Sequence, residues 1–393
     1  MDERSPTGIE VLDAVDVALA SEGAERAPEL PAIARLGRYE ILGRLAIGGM
    51  AEIFLARERS AAVGGSRQLV VKIMRPELEG DPVLRAMFLH EGRVALTLSH
   101  PHICHVYECG VEAGRCFIAM EHVRGVTLRA LMRKSEITHR RLPPSIVARI
   151  GAHVAEALHA AHTAKDASGR PLGLVHRDVS PQNVMIGEGG VVKLLDFGVA
   201  HARTELGLEQ PGMIKGKLGY LAPEQCLGQQ VDARTDVFAL GVVLWEAVTG
   251  RRLYPRSADA GALAAVVNED APDAHAVDPD VPESLAAILR RALSRAPADR
   301  FGSAAELQHA LEGYLAERRE IVNGARIAAL VEELFGGSPP LELDRRAEAV
   351  AWIPAEPPSR RLRWAWLAGS ALAVLALAPA AWALVRSESA VSE

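Results

Sequence analysis

The sequence predicts an α+β chain with a small β-rich lobe, a larger helical lobe after it, and one C-terminal transmembrane helix. Three observations carry this. Between residues 39 and 123 the apolar residues fall in short runs, "YEILGRLA", "AEIFLAR", "QLVVKIM" and "CFIAMEHV", whose branched and aromatic side chains suit strands. After residue 125 apolar positions recur at helical spacing over long stretches, as in "SIVARIGAHVAEALHAAHTA" and "TDVFALGVVLWEAVTG". Near the end, residues 364–385 contain no charge at all.

Taken in order, residues 1–36 are acidic and rich in Ala and Pro, with an apolar pattern too short to build a core, and read as a mobile leader. They lack the basic and apolar blocks of a secretory signal. The strand runs follow, interrupted by a helical stretch at about 81–98, and one domain is expected over 39–315. Over 316–336 the apolar residues Ile327, Leu330, Val331 and Leu334 mark an amphipathic helix, which either packs on its own domain or docks a partner. Five prolines in "GGSPPLELDRRAEAVAWIPAEPPSRR" make 337–363 a juxtamembrane linker.

Residues 364–385 would span roughly 33 Å as a helix, enough for a hydrocarbon core of about 30 Å. Trp364, Trp366 and Trp382 sit where an interfacial aromatic belt is expected. Arg360, Arg361 and Arg363 precede the span and Arg386 alone follows it, so the amino-terminal part is expected in the cytoplasm, with a short tail, 386–393, outside. Ala365, Gly369 and Ala373 fall four apart, leaving either a helix pair in a homodimer or simple anchoring.

Composition excludes some functions. With 49% hydrophobic residues the 393-residue chain can fill a real core. A net charge of −6 gives no broad basic face, which argues against nucleic acid as a partner. Cys104, Cys109, Cys116 and Cys226 form no C-x-x-C pair and suit a reducing compartment. "HPHICHVYEC" superficially suggests zinc, but its spacing fits no standard finger. His153, His159 and His162 lie in an apolar helical pattern and read as helix packing and surface.

Several motifs then arrive in one order: a hairpin "LAIGGMAEIFLA", a lysine in "LVVKIM", a glutamate in "FLHEGRVALTL", then "HRDVSPQN", "LLDFGVA", "APEQ", "DVFALG" and "ADRF". Over residues 39–315 this order resembles the bacterial protein kinases of the eukaryotic Ser/Thr type. The resemblance implies the two-lobed protein kinase fold, ATP with Mg²⁺ or Mn²⁺ as cofactors, protein substrates, and phosphoryl transfer to Ser/Thr hydroxyls in signal transduction.

By that resemblance the nucleotide meets Leu45, Ala46, Ile47, Gly48, Gly49, Met50, Ala51, Glu52 and Ile53 of the hairpin, then Val70, Met120, Glu121, Val123 and Met185. Lys72 would hold the α and β phosphates and pair with Glu91. Asp178 would accept the substrate hydroxyl's proton, while Asn183 and Asp196 would bind the metal. His176, Phe197, Glu224, Asp236 and Arg300 would be structural, His176 packed and hydrogen-bonded rather than a general base, and Glu224 paired with Arg300.

Four departures stand out. Ala46 and Ala51 replace outer glycines of the family's hairpin pattern, and Ser180 replaces its lysine two residues after the catalytic aspartate. Lys217, where a threonine is usual, could supply the displaced cation to Asp178, or could face solvent or the substrate peptide. Thr204 is the obvious phosphorylation site in its segment. The alternative to an enzyme is a pseudokinase scaffold that binds nucleotide and partners at the membrane.

Overall fold

A computed structural model describes residues 34–59, 66–166, 168–197, 218–254 and 259–337. Of the expected leader 1–36, residues 34–36 form a strand instead, while residues 1–33, Thr204, Lys217, the linker beyond residue 337, the apolar span 364–385 and the tail lie outside the described residues. Among the described residues no helix is long and apolar enough to cross a membrane.

The first lobe is built from six strands: β1 (Ala34–Leu36), β2 (Tyr39–Ile47), β3 (Ala51–Arg59), β4 (Ser66–Met74), β5 (Val106–Glu112) and β6 (Arg115–Glu121). They form one antiparallel sheet in the order β1-β2-β3-β4-β6-β5. Helix α1 (Pro82–Leu96) crosses between β4 and β5. Asp81 starts it, accepting from the amides of Val83 and Leu84, with Pro82 at the first helical position, where no amide donor is needed. Phe88 and Leu84 bury into a cluster with Met74, Val106 and Ile118. Only glycine fits at position 92: a Cβ there would lie 2.6 Å from the Cβ of Cys109 on β5. That close approach sets α1 against the sheet and brings Glu91, one residue earlier, inside.

The second lobe begins with β7 (Gly125–Thr127), which joins β8 (Val184–Gly187) and β9 (Val192–Leu194) in a small antiparallel sheet. Its helices are α2 (Leu128–Ile137), α3 (Pro144–His162), α4 (Pro223–Cys226), α5 (Ala233–Thr249), α6 (Asp259–Asn268), α7 (Ala274–Val277), α8 (Glu283–Ala292), α9 (Ala304–Arg318) and α10 (Gly324–Phe335). The middle of α5 is apolar on every face, the pattern of a helix surrounded by protein, and all of residues 235–249 are buried. Asp232 caps its start and Gly250, left-handed at φ 64°, its end.

Helix α10 was expected either on its own domain or as a docking element. Its stripe, Ile327, Val331 and Leu334, is buried in the same core as α3, α5 and α9. The packed body of this lobe therefore continues past residue 315 to Phe335.

Candidate active site

Lys72, on β4, faces the cleft between the lobes. Its Nζ lies 2.9 Å from Glu91 Oε1 of α1 and 3.1 Å from Asp196 Oδ1. Burial alone would lower the lysine's pKa, but Asp196 and Glu91 more than reverse it, so the ammonium stays charged. Glu91 is pushed up to about 7, chiefly by burial, with Lys72 opposing and Asp196 adding to the rise. Asp196 itself sits at φ 51°, a left-handed backbone that a non-glycine residue adopts only when held there.

The loop from His176 to Asn183 is pinned from beneath. Asp236, fully buried at the start of α5, accepts from the amides of His176 (Oδ2, 2.7 Å) and Arg177 (Oδ1, 2.7 Å). Arg177 has φ 65°, so these bonds hold a turn that would otherwise relax. His176 accepts from the Asp178 amide through Nδ1 (3.3 Å), which fixes Nε2–H as donor to the Leu195 carbonyl (2.9 Å). Its ring also meets Phe197 edge-on, centroids 4.7 Å apart. His176 thus ties the loop to the residue beside Asp196 and has no nitrogen left for a reacting proton.

Asn183 donates through Nδ2 to both Asp178 O (2.7 Å) and Asp178 Oδ2 (3.0 Å). With the amide nitrogen committed, its oxygen is the atom left for a metal, and the carboxylate of Asp196 is the second hard oxygen donor. This all-oxygen set fits Mg²⁺ or Mn²⁺.

The predicted nucleotide residues fall around the same cleft. Leu45, Ala46 and Ile47 end β2, with Ala46 opposite Ile53 and Ile47 opposite Glu52. The Gly48 amide donates to Ala51 O at 2.8 Å and closes the hairpin. Gly49 and Met50 complete its turn, with Met50 and Ala51 buried. Val70 pairs across the sheet with Met120, and Met185 lies on β8 opposite Thr127. Val123 follows β6, against Gly187. The Glu121 side chain is held at the end of β6: its Oε2 meets Lys193 Nζ at 2.8 Å and the His105 amide at 3.2 Å.

Beyond the loop, Glu224 and Arg300 form a two-pronged ion pair, both contacts 2.8 Å and both residues buried. Burial works against the Glu224 charge, but Arg300 outweighs it and holds the carboxyl below its ordinary range. The neighbouring Gln225 donates to Arg177 O at 3.1 Å and joins this segment to the loop. Ser180 is fully buried, and among the described residues its Oγ has no hydrogen-bond partner.

Sequence reasoning missed one part of this arrangement, the role of His162, and did not foresee the partners of Tyr220. His162 is a packing residue and not a surface one: its side chain is 6% exposed, and its Nε2 lies 2.7 Å from Asp236 Oδ2, making it the third donor on the carboxylate that pins the loop. Its spacing of four from the buried Leu158 was the available signal. Tyr220 donates to Glu246 Oε2 at 2.7 Å, and Arg252 pairs with the same oxygen at 2.9 Å, fixing the segment before α4 onto α5. The histidines near residue 100 face Glu156, at 3.4 Å from His100 and 3.8 Å from His102, and His102 stacks on His153 at 4.1 Å.

Comparison with known proteins agrees with this geometry. The protein kinase domain family matches residues 39–311. The chain is 38% identical over 307 residues to Tyrosine-protein kinase MasK of Myxococcus xanthus, covering 78% of this chain and 47% of that protein. It is 35% identical over 277 residues to Serine/threonine-protein kinase PknB of Mycobacterium tuberculosis, covering 69% and 42%. The chain thus spans under half the length of these relatives. Among solved structures it resembles the kinase domain of Mycobacterium tuberculosis PknI, with a TM-score of 0.55 and 30% identity over 74% of this chain and all of that one.

Proposed function

The chain belongs to the protein kinase family, and from that premise we propose that it transfers the γ-phosphoryl group of ATP to serine or threonine hydroxyls of proteins. The observation that carries this is Lys72 held between Glu91 and Asp196, at 2.9 and 3.1 Å, across the cleft from the pinned Asp178 and Asn183. A scaffold that only binds nucleotide would use Lys72 but has no need for Asp178 held beside Asn183. Lys72 would orient the α and β phosphates, and Asp178 would take the proton of the attacking hydroxyl. Asn183 and Asp196 would hold Mg²⁺, which when bound bridges the β and γ phosphates and offsets their charge. The hairpin over residues 45–53 would cover the phosphates, with Ala46 and Ala51 stiffening it relative to glycines.

The cation missing at Ser180 is proposed to come from Lys217. In support, Ser180 is buried with its hydroxyl unpaired among the described residues. Lys217→Thr should abolish most transfer and Ser180→Lys should restore it in that background. Full activity in Lys217→Thr alone would remove the idea.

A second reading, tyrosine as acceptor, is favoured by the same Ser180 and by the tyrosine kinase name of the 38% identical relative. Phosphoamino-acid analysis of the labelled product separates the two. Phosphotyrosine alone would replace serine and threonine as the substrate class.

The uncharged stretch 364–385 supports anchoring in the cytoplasmic membrane with the kinase domain on the cytoplasmic side, with or without pairing through Ala365, Gly369 and Ala373. Full-length chain that stays in the soluble fraction would contradict the anchor.

A further inference from the structure

We infer that α10, which lies beyond the family-matched residues 39–311, is a positioning element for the nucleotide site, acting through the turn after β8. This rests on the reading of the cleft as an ATP site.

The route is short and made of main chain. Met185, one of the expected nucleotide contacts, is on β8, and five residues later Gly190 meets the start of α10. Gly190 has φ 74°, and a Cβ on it would fall 1.9 Å from Gly324 O. In the other direction, a Cβ on Gly324 would fall 2.5 Å from Gly189 O. The two backbones therefore touch, and no side chain cushions a movement of α10.

The same turn backs the connection between the lobes. The Glu188 amide donates to Arg124 O at 2.8 Å. Gly125 pairs with Gly187, and a Cβ on Gly125 would fall 1.9 Å from Ile186 O. A Cβ on Gly187 would lie 3.1 Å from Val123 Cγ1. Residues 123–125, which follow Glu121 at the cleft, thus rest on residues 186–188, and these lead into the turn held by α10.

At its other end α10 is fixed to α2, the helix that continues from this connection. Lys134 of α2 lies over the Phe335 ring at 5.6 Å, and Glu333 pairs at 2.5 Å with Arg140, three residues past the end of α2. Ile327, Val331 and Leu334 hold its face to the core. Both sides of the connection, β8 and α2, are therefore braced by one helix.

The test is Gly324→Ala in the full-length chain. Alanine favours helix at this position, so α10 itself is not weakened, while the new methyl group pushes it off Gly189. Gly313→Ala on α9, where a Cβ meets open space, is the matched control. Binding of Mg²⁺-ATP is read by displacement of a fluorescent ATP analogue, beside kcat and the thermal midpoint without nucleotide. The expected result is a Kd for ATP raised roughly three- to tenfold in Gly324→Ala, with kcat at saturating ATP changed less than about twofold and the control unchanged. A lowered thermal midpoint with unchanged ATP affinity would overturn the inference, leaving α10 a stability element. Failure of the unmodified chain to bind ATP would instead overturn the functional reading beneath it.

Discussion

Replacing Asp236 with asparagine isolates the device that holds the catalytic loop. Its two oxygens receive three donors, each at 2.7 Å: the Arg177 amide on Oδ1, and the His176 amide and His162 Nε2 on Oδ2. Asparagine keeps the shape but turns one oxygen into a donor, so either orientation sets an N–H against at least one N–H. A hydrogen bond to a charged group contributes about 1.5–3 kcal/mol, and a buried donor left unpaired costs about 1–3 kcal/mol more. The expected loss is therefore about 3–5 kcal/mol. Arg177, at φ 65°, has least reason to stay in place once its amide bond is lost, and Asp178 is the next residue. We expect kcat to fall about a hundredfold or more, since a small misplacement of the base is costly. ATP affinity should change little because Lys72, Glu91 and Asp196 are untouched. Urea unfolding and phosphate transfer at saturating ATP measure both effects. A variant within about twofold of the original kcat and about 1 kcal/mol of its stability would refute the reasoning.

Other outcomes follow from the same contacts. Arg300→Met strands the buried Glu224 carboxylate and should cost about 3–5 kcal/mol, whereas Arg300→Met with Glu224→Leu should recover much of it; equal losses in the two chemical-denaturation curves would contradict this. Glu91 is raised to about 7, so the carboxylate that pairs with Lys72 forms as pH rises through that value and is lost below it. The apparent second-order constant for ATP, kcat/KM, should accordingly climb between about pH 6 and 8, and a flat profile would show that Glu91 does not titrate there. Ser180→Ala removes a buried hydroxyl that has no partner among the described residues and should be neutral or stabilise by up to about 1 kcal/mol in thermal unfolding. A clear loss would reveal a partner for that hydroxyl.

What the sequence made legible divides along physical lines. The strands β2, β3, β4 and β6 were readable because buried β-branched residues announce themselves locally, and α5 because a run apolar on every face fits only a central helix. Lys72 and Glu91 lie nineteen positions apart, and no local pattern joins them; the resemblance did, and Gly92 explains how the helix comes close enough. The stripe of α10 was visible, but periodicity says which face is covered and not by what. The role of His162 was not visible because a histidine in an alanine-rich helix looks incidental until the carboxylate it serves, seventy-four residues away, is in view. That the Glu121 side chain is held by Lys193 is likewise beyond what position alone can show.

The most direct test is transfer of label from γ-labelled ATP with Mg²⁺ by the full-length chain, to itself and to generic protein substrates, beside Asp178→Asn. The account predicts labelled phosphoserine or phosphothreonine that disappears in the variant. Nucleotide binding without any transfer, or transfer that survives Asp178→Asn, would contradict it.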